Sequence, residues 1–567
     1  MLVFCFESRY ITKKETYLYK KENEENYRKL KKKIILLNKE KRLFIKEYKN
    51  IEKLVQKHNE KFIKKELEES KDIFNNVCGY TLDIEQQTAI VTEEDSNLII
   101  AGAGSGKTLT MIGKIKYLIE RKGIDPSKIL CLSFTNTITN DFLKSLEKIN
   151  YKIDVLTFHK LGVKILNLNK IPIQISDDNL LSKIIDKYFL KNFNNPKFKD
   201  NLKKYFGISE SNIELRELKK LISTFINLFK SNNFNLEKWS KIEEKANDEI
   251  NRLLRKRNIF LISIIKEIYL LYANILEENS EIDFNDMINE ASNIIKEGYI
   301  YPQYDYIIVD EYQDTSYTRY NLLYTLKEKN NCHLLAVGDD WQSIYRFTGC
   351  DLEIFTNFDK YFKFTNISKI QTTYRNCQEL IDVAGNFIMK NKKQFKKNLK
   401  SSKHIKKPIK MYLYKEKQEF SIFLDKILTE FNGNLFILGR NNNDLSFIEN
   451  DLDFEYEDNI LIYKKYPNIK IKYFTVHRSK GLECDKVILI NLENNILGFP
   501  NQMSDDSIIR YISKGDYFPF EEERRLFYVA LTRTKNEIYL FVPKKNKSIF
   551  VEEIIKDNPT KIEIIKK

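Results

Sequence analysis

The stretch NLIIAGAGSGKT, from Asn97 to Thr108, constrains this chain more than any other. Leu98-Ile99-Ile100 suits a buried strand, which breaks into a glycine-rich turn, Gly102, Ala103, Gly104, Ser105 and Gly106. Lys107, Thr108 and an apolar helical stretch follow. Glycines let backbone N–H groups converge on phosphate oxygens, because a Cβ obstructs both the dihedrals and the close approach. The helix N-terminus that comes next favours anions. Lys107 can reach β- and γ-phosphates and the Thr108 hydroxyl can bind Mg²⁺, so ATP and Mg²⁺ are the expected ligands. Ala101 stands where the usual pattern has its first glycine, which makes this a near match.

The residues that such a loop requires appear downstream. Tyr306 to Val309 reads as a strand ending in Asp310-Glu311, where ligand crevices form in α/β sheets. Asp310 can hold Mg²⁺ through its water shell, and Glu311 can take a proton from the attacking water. Upstream of the loop, the Gln86 amide offers paired donor and acceptor groups for an adenine edge. Further strands are expected at Ile129–Ser133 and Leu334–Val337, then near Ile409–Leu413, Leu435–Leu438 and Ile469–Phe474. After Val337 comes GDDWQSIYRFTGCD. Gln342 is placed there to sense a γ-phosphate, Trp341, Tyr345 and Phe347 offer stacking or core faces, and Arg346 offers a phosphate contact. Phe134, Phe158 and His159 lie at strand ends, where the aromatics either stack a base or pack the core. His159 has no cysteine or acid near it in metal-binding spacing.

The N-terminal 78 residues contain one glycine-free, proline-free stretch up to Cys78, rich in Lys and Glu. Leu30, Ile34, Leu37, Phe44, Tyr48, Ile51, Val55 and Phe62 follow heptad steps, which suits a long helix or helical pair on its own chain, or a partner-binding coil. With no Gly or Pro to make a turn, an antiparallel coil with a tip is not expected. Ten lysines between Lys390 and Lys410 read as a solvated connector. The net charge of +15 fits a polyanion partner, although a Lys-, Asn- and Ile-rich composition also produces it. Seven scattered cysteines without CxxC argue against a zinc ribbon or disulfide framework and for a cytoplasmic location. No apolar run is expected to reach membrane-spanning length, and the start is too soon polar for a signal peptide, so no membrane partner is expected.

Taken in order, the motifs around Gln86, Lys107, Thr135, Asp310-Glu311, Gln342, Arg375, Glu483 and Arg533 resemble the UvrD/Rep-type superfamily 1 helicases, from about Phe62 to Val542. GDDWQSIYRFTGCD, TTYRN, HRSKGLE and EERRLFYVALTR look most like the helicase IV branch. The resemblance implies an α/β fold of two RecA-like P-loop domains with ATP between them. It divides the chain into a helical extension (1–78), domain 1A (79–167 and 281–366), a helical insertion 1B (168–280) and domain 2A (367–567). It further implies that Glu483 contacts ribose and that Arg375 and Arg533 act as arginine fingers from the second domain. Phe134, Thr135, Asn136, His159, Tyr345, Phe347 and His477 match positions that hold single-stranded DNA, or duplex with a single-stranded tail. Polarity would be 3′ to 5′.

Three departures qualify the resemblance. Leu109 replaces an arginine common near the adenine, and Phe347-Thr348 replaces the usual tryptophan-arginine, with Arg346 just before. Arg440 and Ile469 stand too close for the accessory domain that many relatives insert, so 2B is expected to be missing or vestigial. The leading expectation is an ATP-driven DNA translocase or helicase in repair, recombination or defence. The alternative is a helicase-like ATPase that acts on a protein, by remodelling RNA polymerase or as the motor of a nuclease system, with the N-terminal helix as its docking element.

Overall fold

The computed structural model describes residues 6, 8–32, 38–134, 136–147, 151–208, 212–429, 431, 433–448, 451–457, 459–503, 506–513 and 518–565. Six strands form a wholly parallel sheet: β1 (Ser96–Ala101), β2 (Ile129–Ser133), β3 (Asp154–Thr157), β4 (Tyr306–Val309), β5 (His333–Gly338) and β6 (Thr365–Ile370), in the order β3-β2-β4-β5-β1-β6. β1, β2 and the last three residues of β4 are buried along their length, which is why they read as apolar runs. Helices cover both faces, and two apolar clusters, one per face, hold the sheet between them.

The second sheet comprises β7 (Ile409–Tyr414), β8 (Leu435–Gly439), β9 (Phe454–Glu457), β10 (Ile460–Tyr463), β11 (Ile471–Thr475), β12 (Cys484–Leu489), β13 (Thr534–Pro543) and β14 (Ile562–Ile565). Its order is β14-β7-β13-β12-β8-β11-β10-β9, parallel except at one edge, where β10 pairs antiparallel with both β11 and β9. That edge hairpin, after the short turn Ser446–Ile448, is what the chain places between Arg440 and β11. The interval predicted to lack a full accessory domain therefore carries two four-residue strands.

Between β3 and β4, helices Leu180–Asn192, Pro196–Phe206, Asn212–Ser231, Glu237–Asn247 and Arg252–Glu278 build a core of their own around Phe225, Phe229 and Trp239. Arg252–Glu278 is long and apolar enough, by length and composition, to cross a membrane, which corrects the expectation that no run reaches that length. In this fold Leu261, Ile264, Ile265 and Ile268 pack it into the insertion core.

Two further expectations are corrected. The N-terminal region forms helices Lys13–Lys31 and Lys39–Glu69, which run antiparallel: Tyr10 meets Phe62, the Ile11 N–H donates to Asn59 at 2.9 Å, and Tyr27 stacks on Tyr48 at 4.2 Å. A helical hairpin thus forms without Gly or Pro, because an Asn38 cap suffices to restart the second helix. The basic run is not simply solvated either. Lys397 is buried against Asp339 and Asp340, at 2.6 Å from the latter, and Lys390 pairs with Glu553 at 2.8 Å. These acids lie outside the run, so sequence order alone hides the pairing.

Candidate functional site

The glycine-rich loop joins β1 to the helix Lys107–Glu120. Gly104 and Gly106 take φ of +70° and +78°, a left-handed backbone that L side chains rarely adopt. A Cβ on Gly104 would lie 2.4 Å from Arg375 Cβ, so the loop also needs glycine for the close approach of the segment after β6. That segment grips the loop: Thr373 Oγ1 donates to the Ala103 carbonyl at 2.7 Å, and the Tyr374 N–H to Gly104 at 2.9 Å. Gln86 braces it from the other side. Its Nε2 donates to the Ser105 carbonyl at 3.0 Å, while its Oε1 accepts from the Asp83 N–H at 2.9 Å in a capping box. In this conformation both amide groups are engaged within the protein.

Asp310 and Glu311 follow β4 at its C-terminal end, beside the loop. Lys107 Nζ donates to Glu311 Oε1 at 2.7 Å, with both side chains largely buried. Gln313 Nε2 donates to the other Glu311 oxygen at 2.5 Å. Burial opposes the Glu311 anion, but Lys107 and Lys480 outweigh it and hold Glu311 down to about 2. Asp310 is pushed up to about 7 by its burial and then by the Glu311 charge. Lys107 loses by burial and gains more from Glu311, Asp310 and Asp339, so its pKa is raised. Glu311 also takes φ +47°, a conformation that costs a non-glycine residue about 1–2 kcal/mol and is commonly stored at working sites.

The second sheet completes the cleft. Arg533 opens β13 from the end of helix Glu521–Leu531, and its Nη2 donates to Gln342 Oε1 of the first sheet at 3.0 Å. It is fixed by two carbonyls, Val529 at 3.0 Å and Leu482 at 3.1 Å. Burial and then the Arg375 charge lower Arg533 to about 9. Gln342 Nε2 in turn donates to Asp339 at 2.7 Å. Arg375 pairs with Glu483 at 2.8 Å. Arg533, Gln342, Arg375 and Glu483, together with Lys107, Thr108, Asp310, Glu311 and the loop glycines, line one cavity of about 560 Å³. Thr108 and Asp310 both face it, and Asp310 Oδ1 accepts the Glu311 N–H at 2.7 Å, so a hydroxyl and a carboxylate stand together where a cation's water shell would fit.

Sequence reasoning missed three residues here. Tyr374, half exposed, lines the cavity with its hydroxyl donating to Asp83 at 2.9 Å, giving a flat face for a base. Lys480, from the second unit, reaches Asp314 and the Gln342 carbonyl (2.7 Å) and stands 4.0 Å from Glu311. Gln313 ties Glu311 to the Asp339 N–H, which donates to it at 2.9 Å. Lys480 lies in HRSKGLE and Tyr374 in TTYRN, so the motifs were visible, but not which side chain in each faces the cleft.

The expected DNA contacts fall into two groups. Tyr345, Phe347 and His477 gather with ring centroids 5.7–6.5 Å apart, and Phe347 is 55% exposed. Phe347 and His477 line a larger cavity of about 1570 Å³ shared with Arg440, Arg216 and Lys220. Burial, then Arg440 and Lys480, lower His477 to about 4, so it faces this cavity neutral. Phe134 packs edge-on to Phe158 under the Arg319 guanidinium, and His159 against Phe284, both away from that cavity's lining. Thr135 lies outside the described residues, as does the side chain of Asn136. Trp341 is buried and donates to the Phe395 carbonyl at 3.1 Å, which makes it core. Arg346 is held by Glu522 at 3.1 Å.

Comparison with known proteins agrees with this geometry. The family model of the UvrD/REP helicase N-terminal domain matches residues 82–363, and that of the UvrD-like helicase C-terminal domain matches 457–545. The chain is 28% identical to DNA helicase IV of Escherichia coli over 89% of its own length and 74% of that protein. It is 32% identical to a probable DNA helicase II homolog of Mycoplasma capricolum over 57% of its length and 43% of the relative's. It is 28% identical to the ATP-dependent DNA helicase PcrA of Staphylococcus aureus over 56% and 41%. The chain thus spans less than half the length of the last two relatives. With both family models matched in order and the cleft assembled between them, the chain belongs to the UvrD/Rep helicase family.

Proposed function

We propose that this protein is an ATP-driven motor and helicase on single-stranded DNA, working in the cytoplasm and moving 3′ to 5′. The observation that carries the reading is the Arg533–Gln342 bond, which sets a second-unit arginine against a first-unit amide above the phosphate loop. A cation delivered across a cleft neutralises developing phosphoryl charge only when the cleft is closed, so hydrolysis and domain movement are linked. Lys107 and the loop amides take the phosphates, Glu311 takes the proton of the attacking water, and Gln342 reports the γ-phosphate to Arg533. Thr108 and Asp310 would hold Mg²⁺, which when bound would supply neutralisation of the phosphate charge. Arg375 acts beside Arg533, Glu483 contacts ribose, and Gln86 with Tyr374 frames the base. Phe347 and His477, with Tyr345 behind them, meet the strand; Phe134, Thr135, Asn136 and His159, outside that cavity's lining, would meet it further along on the first unit.

ATP hydrolysis with and without single-stranded DNA tests this reading. Wild type should be strongly stimulated. Lys107→Ala and Arg533→Ala should each lose about 10³-fold or more in turnover. Hydrolysis indifferent to DNA would sink it. That result would favour a second reading, a motor acting through a protein held by the antiparallel N-terminal helices. Strand displacement on substrates with opposite overhangs then checks polarity.

A further inference from the structure

Between β12 and the helix Glu521–Leu531 the chain leaves the second unit and reaches the helical insertion of the first. There Ser507–Tyr511 makes a short helical turn; its Ile508 and Ile509, and Ile512 just after it, are buried in the insertion core with Leu261 and Trp239. Polar contacts ring the plug. Arg257 forks onto Asp506, with Nη1 to Oδ1 at 3.0 Å, and Asn258 Nδ2 donates to the Tyr511 hydroxyl at 2.9 Å. Ser507 Oγ donates to Asn258 Oδ1 at 3.1 Å, and Lys245 Nζ to the Tyr511 carbonyl at 3.1 Å. Apolar side chains of one unit seated in the core of another resist release, because release exposes them to water.

This strap borders the larger cavity. Asn501, Gln502, Met503 and Arg510 line it together with Arg216 and Lys220 of the insertion, and Phe347 and His477 of the two sheeted units. Arg510 is exposed and has no acidic partner among the described residues. We infer that the strap closes the strand groove into a passage, so that single-stranded DNA is threaded between insertion, cleft and strap, with Arg510 against its phosphates. The inference rests on the DNA-motor reading. A motor that reopens its ATP cleft in every cycle loosens its grip each time, and enclosure retains the strand through that step. Loading onto a strand without ends then requires the strap to leave the insertion.

The test locks the strap. In the full chain, Asn258→Cys with Ser507→Cys places two thiols where the native side chains touch. Oxidised and reduced protein are compared for ATP hydrolysis on linear and on circular single-stranded DNA, with wild type treated identically to control for native cysteines. Linear DNA should stimulate both forms, while stimulation by circular DNA should be lost on oxidation and return on reduction. Equal stimulation by circles in the locked form overturns the strap proposal alone. No stimulation by linear DNA in the reduced form overturns the motor reading beneath it. Should the cross-link distort the protein, Arg257→Ala with Asp506→Ala opens the strap instead. That variant should dissociate faster than wild type from linear DNA into a heparin trap, and an unchanged rate would overturn the proposal.

Discussion

Lys107 and Glu311 hold each other at 2.7 Å; with Glu311 as the proposed base, a nucleotide's phosphates would have to draw Lys107 away before Glu311 could accept a proton. On this reading substrate binding also releases the base. Glu311→Gln should therefore keep nucleotide binding within a few-fold while turnover falls about 10²–10⁴-fold, measured by binding of a fluorescent ATP analogue alongside steady-state hydrolysis. Far from the cleft, Glu94 makes a second prediction. It is buried and pushed up to about 7, chiefly by desolvation, although it accepts the Lys13 N–H at 2.7 Å. A carboxyl whose pKa is raised on folding contributes its stability at low pH and loses it as pH climbs toward that raised value. Glu94→Gln, which keeps an acceptor and cannot ionise, should raise the melting temperature at pH 8 and change it little at pH 4, below the ordinary glutamate value.

The N-terminal hairpin and the basic connector show what whole segments contribute. The hairpin's base docks where strands of the first sheet begin: Lys13 Nζ donates to the Thr365 carbonyl at 2.5 Å, and Lys14 to Asn331. The phosphate loop and Asp310-Glu311 sit where strands end, so the hairpin lies on the opposite edge from the nucleotide cavity. Glu66 anchors its far helix, accepting from Arg121 at 2.7 Å and from the Tyr117 hydroxyl at 3.1 Å. The heptad stripe was legible because Phe44, Tyr48, Ile51 and Val55 recur on one face; the break in it was not, because no residue type there forbids helix. In the connector, Lys397 lies over Trp341 at 4.4 Å and neutralises two buried acids that follow β5. Removing one member of a buried ion set strands the others, at about 3–5 kcal/mol. Lys397→Ala should lower stability by that amount in chemical denaturation, whereas Lys392→Ala, an exposed neighbour, should change it by under about 0.5 kcal/mol.

Across the molecule, two sheets, a helical insertion and a strap surround the larger cavity. Its arginines and lysines are not equivalent. Arg346 and Arg440 are paired with Glu522 and Glu523, and Lys417 with Glu493, while Arg216, Lys220 and Arg510 have no acidic partner among the described residues. If the three unpaired cations meet phosphates, single-strand affinity should fall with salt on a log–log slope of about −2, and Arg510→Ala should make that slope shallower by about 0.7. Titration of a labelled oligonucleotide from low to moderate salt checks both figures. Several buried strands, the phosphate loop and the acid pair were legible in local patterns, since glycines in a turn and carboxylates at a strand end act within a few residues. Arg375 and Arg533 were identifiable only through the family resemblance. Their meeting with Glu483 and Gln342 was not, because it joins positions 108 and 191 residues apart. The seating of Ile508, Ile509 and Ile512 in the insertion, and of Lys397 between Asp339 and Asp340, likewise depends on surfaces that exist only once both units have folded. Periodicity reports which side chains are buried, and only tertiary packing decides against what.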